Sequence, residues 1–185
     1  QNKYTVTYNK GNYGTLEGQN ASGNVVNGGL TYGVATPDAP DGTPNEGYYF
    51  TGWFPEIAST VTGDATYTAQ YAVKKEITLT GKTATVTYNG QPQQISGFEN
   101  DEVEVGGKTY YEVEVGDKTY KVDKTTISTT ASGKDVGTYT GPEVVTENAE
   151  VYDATGKNVT NQFKVTATPA TLTITASDEE VVVTI

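Results

Sequence analysis

The sequence predicts a mainly β protein made of two small domains. Short runs alternate apolar and polar residues, as in 4–8 and 67–71, which is the periodicity of a half-buried strand. Glycine-containing turns such as Asn89-Gly90 and Gly116-Asp117 separate such runs. Gly, Thr and Tyr are abundant, and no stretch has the periodicity of an amphipathic helix. The 185 residues are enough for two modest hydrophobic cores.

The first domain begins with a predicted strand at 4–8, a turn at 9–12 and a return strand at 13–16. Residues 17–29, rich in Gly, Asn and Ser, predict an irregular loop with a short strand. A further short strand starts at 30–32 and leads into a proline-containing loop. The segment 47–71 follows, and its aromatic rings are expected to centre the core because rings bury large apolar areas. These rings are Tyr48, Tyr49, Phe50, Trp53 and Phe54.

An ordered motif in this segment resembles a known repeat. It reads Gly47-Tyr48-x-Phe50-x-Gly52-Trp53-Phe54, then Val61-Thr62-Gly63-Asp64-Ala65-Thr66, then Ala69-Gln70-Tyr71. This order is similar to the closing half of the Listeria-Bacteroides repeat, the B-repeat family of internalin-type surface proteins. The resemblance covers residues 1–72 and departs from the family pattern at 33–46, which contains three prolines. It implies a β-grasp-like module with a stalk or adhesive role.

A short charged connector at 72–75 marks the predicted boundary between domain 1–73 and domain 74–176. So short a linker predicts two domains aligned end to end as an extended rod. Many short strands in the second domain predict a β-sandwich of the immunoglobulin-like type. The predicted strands are 77–80, 84–88, 103–105, 110–115, 120–122, 126–130, 137–139, 143–145, 163–168 and 170–175, with turns that include Ser132-Gly133.

The second domain contains a ten-residue echo, in which 103–110 (VEVGGKTY) returns as 113–120 (VEVGDKTY). Each copy reads as strand, tight turn and strand. We therefore predict a meander with Glu and Lys on one face and Val and Tyr on the other.

Four blocks of this domain resemble a second family. They are Val86-Thr87-Tyr88-Asn89-Gly90, the GKDVGTY block at 133–139, the segment 151–163, and the PATLTIT block at 169–175. Their order is similar to the MBG and YDG repeats of bacterial surface proteins, over 76–176 apart from the echo. The resemblance implies framework strands and carries over no active-site residue. Because residues 178–184 have the form of 74–80, segment 177–185 is predicted to be the first strand of a following repeat.

Composition excludes several functions. The net charge is −11 and all 12 basic residues are lysine, which argues against nucleic acid or an anionic membrane as partner. The absence of Cys and His removes thiol nucleophiles, histidine-based triads and the usual zinc ligands. No apolar run is long enough to span a membrane. Without an initial Met or a signal segment, the chain is expected to be a fragment of a longer exported protein.

Acidic and aromatic residues are the remaining candidates for a functional site. Paired carboxylates for glycoside hydrolysis and oxygen ligands for calcium, at 100–102 or 153–156, lie in solvent-facing or turn-forming stretches. We therefore predict no catalytic, cofactor-binding or metal-binding residue. A lysine–Asn/Asp amide cross-link and a tyrosine platform for sugars stay open as alternatives. The candidate carboxylates are Glu99, Asp101, Glu102, Glu104, Glu147, Glu150 and Asp153.

The predicted function is a non-catalytic stalk or adhesin repeat on the bacterial cell surface, which spaces or presents an adhesive region. Its expected partners are neighbouring repeats of the same chain, with a host glycan, mucin or extracellular protein as candidates. One alternative is a carbohydrate- or mucin-binding module in its own right. Another is an accessory region of a cell-surface enzyme.

Overall fold

The computed structural model describes residues 2–178. The chain divides between Lys74 and Lys75 into two compact units, called unit 1 and unit 2 below. Strands build both units, and the sole helix within the described range is one 3-10 turn, Thr160–Gln162. The mainly β prediction is confirmed.

Unit 1 contains one four-stranded sheet and one short strand pair. The sheet has the order β3-β1-β6-β5, and β2 pairs with β4. β1 runs parallel to β6, while β1–β3 and β5–β6 are antiparallel. The strands are β1 Lys3–Asn9, β2 Gly14–Leu16, β3 Asn24–Thr31, β4 Gly42–Pro44, β5 Tyr48–Phe54 and β6 Ala65–Val73.

The core of unit 1 does not centre on the aromatic run, contrary to the prediction. β5 carries that run and is an edge strand, so none of its five rings is fully buried. Trp53 is half-buried against the core and Phe54 is 69% exposed. The two central strands supply the buried rings Tyr8 and Tyr67 instead.

A β-bulge in β5 sets the direction of its rings. Phe50 lies opposite Tyr71 and Gly52 opposite Gln70, so Thr51 is an extra residue. In a regular strand, positions 50 and 53 point to opposite faces, but the extra residue brings Phe50 and Trp53 to the same face. Their rings meet edge to face at 5.6 Å. Gly52 has φ +140°, a value that L side chains rarely adopt.

Two pairings in unit 1 differ from the prediction. The expected return strand, β2, pairs with β4 rather than with β1. The antiparallel partner of β1 is β3, an eight-residue strand that includes 24–29 of the segment predicted as an irregular loop with a short strand. The Asn20 carboxamide accepts the backbone N–H groups of Ser22 and Asn24, so this polar segment closes its own turn immediately before β3.

Unit 2 contains several small sheets. The sheet orders are β10-β11-β12-β15, β14-β17-β8, β13-β9 and β16-β7. The strands are β7 Lys75–Thr80, β8 Thr83–Thr87, β9 Gln93–Ser96, β10 Glu102–Val105, β11 Lys108–Val115, β12 Lys118–Asp123, β13 Thr130–Gly133, β14 Gly137–Thr140, β15 Val151–Tyr152, β16 Phe163–Thr168 and β17 Thr171–Thr175.

In the described part of unit 2, the first two strands (β7 and β8) and the final two (β16 and β17) form two parallel chain paths that line two hydrophobic cores. β7 and β16 pair in parallel and bury Ile77 and Phe163 in one core. β8 and β17 continue the same two chain paths and bury Leu172 in a second core. Residues paired between the two paths are 88 positions apart, an even number, so odd or even numbering marks the same side of both strands. Buried positions are odd-numbered in β7 and even-numbered in β17. The side that faces the interior therefore changes at the breaks near Gly81 and Pro169. The two paths touch there, because a Cβ on Gly81 would lie 2.3 Å from the Pro169 carbonyl carbon.

Two strand predictions and one turn prediction in unit 2 are wrong. Residues 126–129 are not a strand, because the carboxylate of Asp123 accepts the N–H and hydroxyl of Thr125 and holds a turn there. Residues 143–145 are an irregular segment anchored by buried Val144. The predicted turn Ser132-Gly133 belongs to β13, which pairs with the unpredicted strand β9.

The echo forms the predicted meander β10-β11-β12, but its two copies face opposite ways. Val103 lies opposite Tyr110, and Val113 lies opposite Tyr120. Because β11 has eight residues, its two ends point to opposite faces. Val113 and Tyr120 are therefore buried, whereas Val103 and Tyr110 are only half-buried on the other face. The predicted common Val and Tyr face is wrong.

The segment predicted as the first strand of a following repeat, 177–185, lies outside the described residues except for its first two positions.

Candidate functional site

The structure places four of the seven candidate carboxylates at opposite edges of one sheet. Glu102 and Glu104 belong to edge strand β10, while Glu150 and Asp153 flank the opposite edge strand β15. Three strand spacings separate these edges, a distance of about 14 Å. Glycosidases hold their two carboxyl groups about 5–9.5 Å apart. This arrangement does not form a glycosidase pair.

Several of these carboxylates bond to the framework itself. Glu99 accepts the backbone N–H of Thr83 at 3.0 Å. The hydrogen bond from Lys124, 2.7 Å from Glu102, lowers the pKa of Glu102. Tyr152 donates its hydroxyl to Glu150 at 2.5 Å, and this bond raises the pKa of Tyr152.

The Asp153 loop, one of the two stretches considered for calcium, is held by its own hydrogen bonds. One carboxylate oxygen of Asp153 accepts the Thr155 hydroxyl at 2.6 Å and the backbone N–H groups of Thr155 and Lys157. The Thr155 hydroxyl bond is the main cause of the lowered pKa of Asp153. Across residues 2–178, no group of three acidic side chains is placed to hold a metal ion.

One lysine–aspartate pair is close enough to be considered for an amide cross-link. Lys108 Nζ lies 3.1 Å from Asp123 Oδ2, with Asp123 1% exposed and the Lys108 side chain 55% exposed. Burial alone would raise the pKa of Asp123, but hydrogen bonds from Thr125 and Lys108 outweigh it and lower the pKa. The bond to Asp123 also raises the pKa of Lys108. Both groups are therefore ionised at neutral pH, and an ammonium has no lone pair with which to attack a carboxylate. The geometry fits an ion pair.

Three rings on unit 1 make up what we call the aromatic surface: exposed Tyr13 and Phe50, and half-buried Tyr48. Tyr13 and Tyr48 stack with centroids 4.1 Å apart and planes 7° apart. Tyr13 is 43% and Phe50 is 38% exposed. Phe50 also meets Tyr71 edge to face at 5.9 Å, which holds its ring against the sheet. Large exposed rings held in this way form a candidate contact surface.

Sequence reasoning counted tyrosines as sugar-binding candidates but did not identify this pair. Tyr13 and Tyr48 are 35 positions apart in the sequence, and β2, β4 and the turn before β5 bring them together. The backbone N–H of Asn45 donates to Tyr13, and that of Tyr48 donates to Asn45. The sequence shows that β5 is rich in aromatic residues, but it does not show that Tyr13 stacks on Tyr48 of that strand.

Unit 2 contains an open cleft of about 540 Å³ between the β11–β12 turn and the Asp153 loop. This volume lies within the range of small-molecule sites. Two carboxylates and two ammonium groups line it together with buried apolar groups, so its formal charges cancel. These residues are Asp117, Asp153, Lys118, Lys157, Tyr120 and Val159.

No protein-family model, curated protein or solved structure matches this chain. Over the described range, no helix has the length and apolar character needed to cross a membrane.

Proposed function

We propose that the chain is a non-catalytic stalk or adhesin segment of a large secreted protein on the bacterial cell surface. In this proposal, a β-grasp-like module precedes an immunoglobulin-like β-sandwich, and the short connector aligns them as an extended rod. Neighbouring repeats of the same protein are the expected partners. The resemblances of residues 1–72 and 76–176 to surface-protein repeats support the proposal.

The proposal rests on one observation: several acidic side chains form hydrogen bonds and ion pairs with other groups of the protein itself. Asp123 and Asp153 each close a turn through their own carboxylate oxygens. Glu102 pairs with Lys124 across neighbouring segments of unit 2. A catalytic carboxylate needs access to substrate, whereas these groups hold backbone and side chains of the protein.

Two measurements on the purified chain test this function. Small-angle X-ray scattering is expected to give the elongated profile of two modules joined end to end. Arrays of glycans and mucins are expected to give no saturable signal. A compact scattering profile contradicts the rod, and hydrolysis of an arrayed glycan contradicts the non-catalytic assignment.

A carbohydrate- or mucin-binding module is the second candidate, and the exposed rings of the aromatic surface favour it. Tyr13→Ala and Phe50→Ala are expected to abolish array binding if this surface holds a sugar ring. Tyr32→Ala is the matched control, because Tyr32 is 65% exposed in the same unit and lies outside the aromatic surface. Loss of binding with Lys157→Ala instead assigns the sugar to the cleft of unit 2.

A further inference from the structure

In each unit, the first strand lies hydrogen-bonded and parallel to a strand at the far end of the described chain, up to residue 178. In unit 1, β1 pairs in parallel with β6. In unit 2, β7 pairs with β16 and β8 pairs with β17, again in parallel. Antiparallel pairing of terminal strands would place the chain's entry and exit at the same end of the ladder. Parallel pairing places them at opposite ends.

This placement decides how a pulling force acts. When a chain is pulled from its two ends, the entering strand and the leaving strand are drawn in opposite directions along their length. The bonds between them are then sheared together, and none breaks alone. In a ladder loaded from one end, the bonds open one after another, so the peak force is that of breaking very few bonds.

The ladder of unit 2 is long and keeps one register through the face change. Six residue pairs from Lys75–Phe163 to Thr80–Thr168, and five from Thr83–Thr171 to Thr87–Thr175, make eleven pairs, each 88 positions apart in sequence. Backbone bonds from Gly81 N to Thr168 O and from Thr171 N to Lys82 O, both 3.0 Å, join the two halves.

Side chains add further bonds across the same ladder. The hydroxyls of Thr78 and Thr166 lie 3.0 Å apart. Thr175 donates its hydroxyl to the carbonyl of Val86 at 3.2 Å. The buried side chains Leu79 and Leu172 lie on either side of the face change, so sliding the strands would also disturb both cores.

We propose that the parallel terminal strands make this chain a tension-bearing element, with unit 2 as its stronger part. The biological use of this property rests on the proposed stalk function, while the resistance to force belongs to the chain itself. Unit 1 has four in-register parallel pairs against eleven in unit 2, so unit 1 yields at the lower force.

Single-molecule force spectroscopy tests the proposal, and the cysteine-free sequence allows handles at chosen sites. Glu76→Cys with Ala176→Cys places the handles at opposite ends of the unit 2 ladder and shears it. Glu76→Cys with Lys164→Cys places both at the same end and peels it, because residues 76 and 164 are opposite each other. All three positions are exposed, and urea denaturation followed by circular dichroism checks that both variants fold with equal stability.

The sheared variant is expected to unfold at a force several-fold higher than the peeled variant. Equal forces in the two directions would overturn the proposal. Pulling the full chain from its ends is expected to release unit 1 first and then unit 2. At roughly 3.3–3.6 Å per residue, the 74 positions of unit 1 give a step of roughly 240–270 Å, and residues 75–175 one of roughly 330–360 Å, each less its folded length. The reverse order would contradict the ranking by number of pairs.

If the glycan and scattering tests contradict the stalk assignment, the expected difference in unfolding force between the sheared and peeled variants is unchanged. A chain that resists no shear leaves the stalk assignment without its mechanical basis but does not assign a ligand. The two outcomes are therefore distinguishable.

Discussion

Replacing Gly81 with alanine should weaken unit 2 sharply, because this residue lies where the first and last strands touch. A Cβ at this position would meet backbone atoms of Pro169 and Ala170 at 2.3–2.5 Å. Ordinary van der Waals contact begins near 3.4 Å, so the two chain paths must separate by about 1 Å. The φ of Gly81 lies outside the left-handed region, so the expected effect is steric and not conformational.

The size of the effect follows from what that separation disturbs. The bonds Gly81 N–Thr168 O and Thr171 N–Lys82 O measure 3.0 Å, and an added 1 Å exceeds hydrogen-bonding distance. Two lost backbone bonds cost about 2 kcal/mol, and overpacking adds about 1–3 kcal/mol. The combined loss of about 3–5 kcal/mol is a large part of a small domain's total stability.

Urea denaturation followed by two signals measures this loss. Trp53 is the single tryptophan and lies in unit 1, so its fluorescence serves as an internal reference, while circular dichroism reports both units. Gly63→Ala is the matched control, since no atom lies within 4 Å of a Cβ there and its φ is not positive. That control should change stability by less than about 1 kcal/mol. An unchanged Gly81→Ala transition would refute the reasoning.

Three further outcomes are expected. Tyr8→Phe should destabilise unit 1 by about 1 kcal/mol, because the Tyr8 hydroxyl donates to a backbone carbonyl. Tyr71→Phe should stabilise unit 1 by about 1 kcal/mol, because the buried Tyr71 hydroxyl has no hydrogen-bond partner among residues 2–178. Trp53 fluorescence during urea denaturation measures both changes. The lowered pKa of Asp123 means that its stabilisation is complete above the usual value near 3.9 and is lost as the pH falls through the lowered pKa, so Asp123→Asn should flatten the decline in unfolding free energy below about pH 4. Mass spectrometry should give the mass of the unmodified sequence, and a mass lower by one water would contradict the ion pair of Lys108.

Local patterns predicted many of the strands and the pairing of neighbouring strands in the echo, but not which distant strands pair. The alternation in 4–8, 67–71 and 77–80 corresponds to β1, β6 and β7. The parallel pairings of β1 with β6 and of β7 with β16 join segments about 60 and 88 positions apart, and they depend on the packing of the whole unit. A pattern of period two indicates a strand but contains no information on its distant neighbour.

The site-level predictions depended on side-chain competition that composition does not reveal. Residues 126–129 include Ile and Thr, which favour strands. The Asp123 carboxylate nevertheless accepts hydrogen bonds from Thr125 and forms a turn, so that β12 ends at Asp123. The sequence does not show how far apart the acidic stretches 99–104 and 147–153 lie. The order of four strands separates Glu102 and Glu104, in β10, from Glu150 and Asp153, which flank β15. The amide alternative depended on protonation states, which only the environment of Asp123 and Lys108 determines.

The reversed orientation of the two echo copies limits how such a segment can be lengthened. With eight-residue strands and two-residue turns, each added ten-residue copy turns its valines and tyrosine to the side opposite the previous set. A third copy would therefore direct its rings to the half-buried side used by Val103 and Tyr110, and a fourth would return them to the interior. Gene duplication in this segment is thus tolerated differently for odd and even numbers of copies.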